Sequence, residues 1–146
     1  MEWKTITSQY DIDELFEMTY GFHDSCIITA NYRTGYKVDS DRVMHFGSVS
    51  EHELIILFQS QWQPKNFELR FIGVRKIHLT GLQDNYTNEL QDAYLEFHSF
   101  LLPGSKEKLI VWADTDSFSI DNIEDPIQEP SYSYVIANEL KWRLSD

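Results

Sequence analysis

The chain has 146 residues, enough for one domain with its own core, and its 42% apolar and 14% aromatic content argues against disorder. Against 24 Asp and Glu stand only 12 Lys and Arg, a net charge of −12. That field repels phosphate backbones and anionic membranes, so neither nucleic acid nor a membrane surface is an expected partner.

In chain order, the first element is a helix. Asp11 can cap it with Glu14 three positions on, and Asp11, Asp13 and Glu14 suit the positive end of its dipole. Ile12, Leu15, Phe16 and Thr19 share one face, and Gly21 is a stop. The pattern predicts a helix of roughly ten residues packed as a lid.

Beyond Gly21 the chain reads with period two or in short apolar runs. From Phe22, one face carries Phe22, Asp24, Cys26 and Ile28, which makes Cys26 a buried hydrophobe. Thr34-Gly35 turns the chain, a weak strand covers residues 43–46, and residues 54–58 suit a central strand covered on both faces. After a turn at 62–66, Phe67, Leu69 and Phe71 alternate with Glu68 and Arg70. The parity then shifts, predicting a bulge at Gly73. Asp84-Asn85 marks another turn. Residues 93–101 place Leu95 and Phe97 opposite Glu96 and His98, and residues 109–113 are apolar on both faces. Phe118 and Ile120 form a short segment. The last strand sets Tyr134, Ile136, Leu140, Trp142 and Leu144 against Val135, Ala137, Glu139, Lys141 and Arg143. Seven or eight strands at hairpin spacing, with no helices between them, predict a mainly β single domain over 1–146. Its form is an antiparallel sandwich or barrel-like sheet with one short N-terminal helix.

The single cysteine excludes an internal disulfide. The start lacks a basic patch followed by an apolar run, and no stretch nears the ~20 apolar residues of a membrane span, so the expected location is cytoplasmic. Asn85-Tyr86-Thr87 is then a chance glycosylation match.

His23-Asp24 is read as a structural motif, because neighbours opening a strand point to opposite faces and cannot share a metal ion. Asp24 would accept backbone N–H bonds at the helix-to-strand corner, with His23 as a hydrogen-bond partner. The five histidines show no helical metal spacing, so no metal or other cofactor is expected, although strands could still gather His45, His78 and His98. Asp114-x-Asp116 matches the diphosphate motif of nucleotide-sugar transferases without the α/β half such enzymes need, and an EF-hand fails for want of glycine. Phosphate loops, nucleophile elbows and CxxC pairs are absent. Between Lys108 and Lys141 there is no base, while Asp114, Asp116, Asp121, Glu124, Asp125, Glu129 and Glu139 fall inside. Trp112, Phe118, Tyr132 and Tyr134 are interspersed. Acids that steer and aromatics that anchor suit the binding of a basic protein.

Several runs carry a resemblance: Trp3, the acidic helix and Phe22-His23-Asp24-Ser25-Cys26-Ile27, then Phe71-Ile72-Gly73-Val74, Trp112-Ala113-Asp114 and Leu140-Lys141-Trp142-Arg143. Together they resemble an uncharacterised family of small Gram-positive bacterial proteins with a Phe-His-Asp-Ser motif. Such openings are similar to those of immunity proteins of polymorphic toxin systems. The resemblance implies a binding protein without catalysis, and it offers no catalytic residues. The expected function is a cytoplasmic acidic protein that neutralises a toxin domain by covering its basic surface. Its expected contacts are Asp114, Asp116, Phe118, Asp121, Glu124, Asp125 and Glu129. The alternative is a small metal-dependent enzyme or ligand-binding β-barrel using strand histidines.

Overall fold

Helix α1 spans Gln9–Met18 with Ser8 as its N-cap, in a computed structural model that describes residues 2–80, 87–122 and 133–145. The start lies ahead of Asp11 because two side chains cap reciprocally. Ser8 Oγ accepts from the Asp11 N–H at 3.3 Å, and the Asp11 carboxylate accepts from the Thr7 N–H (2.8 Å) and hydroxyl (2.9 Å). Those Thr7 donors hold Asp11 below the usual carboxylate range. Ile12, Leu15 and Thr19 are buried on the inner face.

The strands are β1 (Lys4–Thr5), β2 (Ser25–Arg33), β3 (Lys37–Val38), β4 (Met44–His45), β5 (Glu53–Ser60), β6 (Asn66–His78), β7 (Tyr94–His98), β8 (Leu109–Ala113) and β9 (Tyr134–Leu144). One seven-stranded antiparallel sheet runs β2-β5-β6-β9-β8-β7, with β1 also on β9, while β3 and β4 form a small hairpin sheet. On β5 and β6 the inward residues are Leu54, Ile56, Phe58, Phe67, Leu69 and Phe71. Ile55 and Leu57 are only partly covered, so β5 has one buried face, not two. The outer face of these strands is charged: Arg70 pairs with Glu53, Arg143 with Glu68 at 3.0 Å, and the Arg143 guanidinium lies 4.3 Å from the Trp3 ring.

β8 is buried on both faces, as its apolar run requires. Ile110 and Trp112 join the main core with Phe22, Phe58 and Trp142. Leu109, Val111 and Ala113 join a second core with Phe118, Tyr134 and Ile136. The final strand therefore does not keep one alternation: Val135 and Ala137 face the main core together with Leu140 and Trp142. The parity changes at Asn138, which the register Ile72↔Glu139, Val74↔Ala137 sets opposite Gly73. Gly73 has φ +70°, and its N–H and that of Val74 both donate to the His52 carbonyl (2.8 and 3.0 Å), which is the expected bulge.

β2 and β7 end the sheet in opposite directions, yet their ends meet. The Asp24 N–H donates to the Leu90 carbonyl (2.9 Å), and the Leu90 N–H donates to the Ser25 carbonyl (2.8 Å). The sheet is thus curled on itself at one corner, with Phe22 inside it, 5.3 Å from the Phe67 ring and 5.4 Å from that of Phe58. No helix among the described residues is long and apolar enough to cross a membrane.

A Cβ on residue 73 would lie 2.6 Å from Asn138 Oδ1, and Asn138 is held by Arg75 (2.9 Å) and by Glu107. Gly73→Ala should therefore cost about 1–3 kcal/mol in urea unfolding. A change below about 0.5 kcal/mol would mean that this close approach does not constrain the fold.

Candidate functional site

His23 and Asp24 precede β2, and Asp24 has φ +58°. That left-handed residue turns the neighbouring side chains together, so His23 Nε2 lies 3.3 Å from Asp24 Oδ2, where a strand would have parted them. His23 Nδ1–H donates to the Gln91 carbonyl (2.9 Å). Asp24 holds the corner through its backbone: its N–H binds Leu90 and its carbonyl accepts from Gln61 (3.0 Å). Ser25 points inward instead of Cys26, so Cys26 is exposed and not the buried hydrophobe expected.

The three strand histidines each bind locally. His45 Nε2 lies 2.7 Å from Asp39, and His78 stacks on Tyr134 with ring centres 5.5 Å apart. His98 Nε2 lies 2.6 Å from the Tyr94 oxygen. Tyr94 donates to Glu96 (2.9 Å), so the imidazole supplies the other proton. Burial and the Glu96 carboxylate push the Tyr94 pKa up. Among the described residues, no three His, Cys, Asp or Glu side chains group closely enough to hold a metal ion.

The acidic stretch divides into parts with different surroundings. Phe118, Trp112 and Tyr134 are all core residues, which corrects the expectation that they anchor a partner. Phe118 and Tyr134 turn inward onto the second core, and Trp112 turns inward onto the main core. Asp116 and Asp121 are exposed, and Asp114 is partly buried. Glu124, Asp125, Glu129 and Tyr132 lie outside the described residues.

Strand pairing adds what the linear stretch did not reveal. Residues 77–105 are also free of Lys and Arg, and β7 from that segment pairs with β8. Residues 77–140 hold twelve of the 24 acids but only Lys106 and Lys108 among the bases, leaving −10 there and −2 in the rest of the chain. Asp92 meets Asp116: its Oδ1 accepts the Asp116 N–H at 2.8 Å, and its charge raises the Asp116 pKa. Among the described residues, none of Glu89, Asp92, Asp114, Asp116 and Asp121 forms an ion pair with Lys or Arg. Within the same segment Glu107 is paired with Arg75 and Glu139 with Lys141, and outside it Glu14, Glu53 and Glu68 are paired with Lys4, Arg70 and Arg143. Phe100, 71% exposed with φ +67°, supplies an aromatic to this end. It borders an open cavity of about 440 Å³ also lined by Leu101, Leu102, Ile120 and Asp121, and by the bases Arg75 and Lys76 of β6. Counting bases over 77–105 would have found Asp92 and Glu96; nothing in the sequence distinguishes Phe100 from a core aromatic.

Asp114 caps the end of β8, where its N–H donates to the Ser133 carbonyl (3.0 Å). Burial lifts its carboxyl from the usual 3.8 to about 6, and the Asp92 charge adds to this, while the Ser133 N–H and His78 oppose it. No protein-family model, curated protein or solved structure matches the chain.

A carboxyl whose pKa is raised by folding is destabilising where it is ionised, so this penalty is present above pH 6 and fades as the pH falls toward 4. Asp114→Asn should raise the melting temperature at about pH 7.5 and raise it only about a third as much at about pH 4.5. An equal loss of stability at both values would mean that the carboxylate is a required acceptor and not an unfavourable charge.

Proposed function

We propose that the protein binds a basic protein partner through the acidic end built by β7, β8 and their flanking loops. In the reading that the resemblance suggests, it neutralises a toxin domain by covering that domain's basic surface. The observation that carries the proposal is the partition of charge: residues 77–140 carry −10 in sequence, and where they are described β7 pairs with β8 and brings Asp92 against Asp116, with no Lys or Arg paired to Glu89, Asp92, Asp114, Asp116 or Asp121. Like charges gathered this way repel one another and cost stability, which a binding surface explains and a solvated loop does not require. Their field accelerates encounter with a basic partner, and the exposed ring of Phe100 supplies apolar contact area beside them. Elsewhere two cross-strand pairs, Glu53 with Arg70 and Glu68 with Arg143, neutralise part of the sheet's outer face.

Affinity capture from the native cell at low and high salt tests this reading. The expected product is a larger protein with a basic domain, released by salt and bound at least about tenfold more weakly by the double variant Glu96→Lys, Asp121→Lys. Both side chains lie at the surface, and because Glu96→Lys removes the acceptor of the Tyr94 hydroxyl, the variant's fold is verified first by its circular dichroism and melting temperature. Unchanged affinity in the folded variant would remove this surface as the contact.

A further inference from the structure

The β3–β4 hairpin carries an apolar face left largely open to water. Among the described residues fourteen large hydrophobic side chains are exposed, and eight of them fall within residues 28–49. The register Val38↔Met44 sets those two side chains on one side of the hairpin. Tyr36 and Phe46, one alternation back along each strand, meet on the same side with ring centres 5.2 Å apart. Lys37 and His45 take the opposite side with Asp39, whose carboxylate lies 2.7 Å from His45 Nε2. The hairpin is therefore amphipathic, yet Tyr36, Val38, Met44 and Phe46 are each between 51% and 70% exposed.

The hairpin is firmly built. Asp39 Oδ1 accepts the N–H groups of Asp41 (2.9 Å) and Val43 (3.0 Å), the Asp39 N–H donates to the Val43 carbonyl (3.0 Å), and the Tyr36 ring lies 5.8 Å from that of His52. Two strands alone are marginal in water, so a well-bonded hairpin with a bare apolar side calls for a cover. Taking about 150–200 Å² for a large apolar side chain, these four expose about 400 Å². Set against its own copy, that face would bury about 800 Å² of apolar surface, as much as specific interfaces of about 1,200–1,400 Å² contain.

Charge selects a second copy as the cover. The chain carries −12, so identical molecules repel and approach most easily where that charge is absent. Residues 28–49 hold Arg33, Lys37 and Arg42 against Asp39 and Asp41, a net +1, or zero with the adjoining Glu51. Such a balance gives a basic protein no attraction there. Among the described residues Arg33, Lys37, Arg42 and Asp41 form no ion pair, so a copy turned about a two-fold axis presents acid to base and base to acid. Asp92, Asp114 and Asp116 gather by the seam where Ser25 meets Leu90. From that seam β2 runs nine residues to Arg33, about 26 Å and roughly three Debye lengths, which keeps the acids of two copies apart.

We propose that this face of the β3–β4 hairpin packs on the same face of a second copy about a two-fold axis, making the protein a homodimer. The dimer leaves β7 and β8 open, so it does not depend on the partner proposed above.

Sedimentation equilibrium of the full chain from about 1 to 300 µM tests this. The mass should rise from monomer to dimer and stop there, with a midpoint in the micromolar range that suits an interface of this size. Raising salt from about 50 to 500 mM should leave the dimer as tight or tighter, because salt screens the repulsion between two acidic chains. Val38→Thr with Phe46→Thr keeps β-branched side chains in the hairpin and should weaken dimerisation at least about tenfold. In the natural chain, amide NMR shifts that change with protein concentration should concentrate at residues 36–46, a readout that needs no variant. A monomer at about 300 µM, an equally tight dimer in the folded double variant, or concentration-dependent shifts centred elsewhere would each overturn the proposal. So would assembly beyond the dimer that high salt dissolves, since that is the acidic end of one copy seated on Arg33, Lys37 and Arg42 of the next.

Discussion

Two backbone hydrogen bonds, between the Asp24–Ser25 corner and Leu90, hold the ends of a seven-stranded sheet together. An open sheet of this width would leave one apolar face to water, and curling it lets a single short helix cover what remains. The corner is reached through a strained turn in which Tyr20, Gly21, Phe22 and Asp24 all take positive φ. Complete burial of Phe22 among Phe16, Phe58, Phe67 and Trp112 offsets that strain. A small cavity beside Asp114 is a by-product of the same closure, since Ile27, Asn88 and Leu90 reach it only because the sheet's ends meet.

The closure also bears on charge. Pairing β7 with β8 lays two segments without Lys or Arg side by side, so acids far apart in the chain, such as Asp92 and Asp116, come into contact. Elsewhere the sheet's outer face matches acid to base across strands, as in Glu53 with Arg70 and Glu68 with Arg143. Of the net charge of −12, −10 falls in residues 77–140.

Much of the architecture is legible in the sequence because burial leaves a periodic trace. The inner faces of β5 and β6, the double burial of β8 and the bulge at Gly73 all follow from apolar spacing and one misplaced parity. The final strand hides its parity change, because Ile136 and Ala137 are both apolar and both buried, on opposite faces. Cys26 misleads for a related reason: the left-handed Asp24 resets which residues face inward, and a period of two cannot anticipate it. At the candidate site, Asp114 and Asp116 are legible as acids. Their neighbour Asp92 depends on strand pairing, and the burial of Phe118 depends on a second core that local spacing does not announce.

The central claim is that the acidic end around β7 and β8 is where a basic partner would bind. Amide shift mapping with a short oligoarginine peptide tests it most directly, because every described surface acid reports at once. The account predicts changes concentrated at residues 87–121, strongest around Asp92, Asp114 and Asp116, and weakening with added salt. Changes of equal size at Asp39, Asp41 and Glu51, or centred on the β3–β4 hairpin, would contradict it.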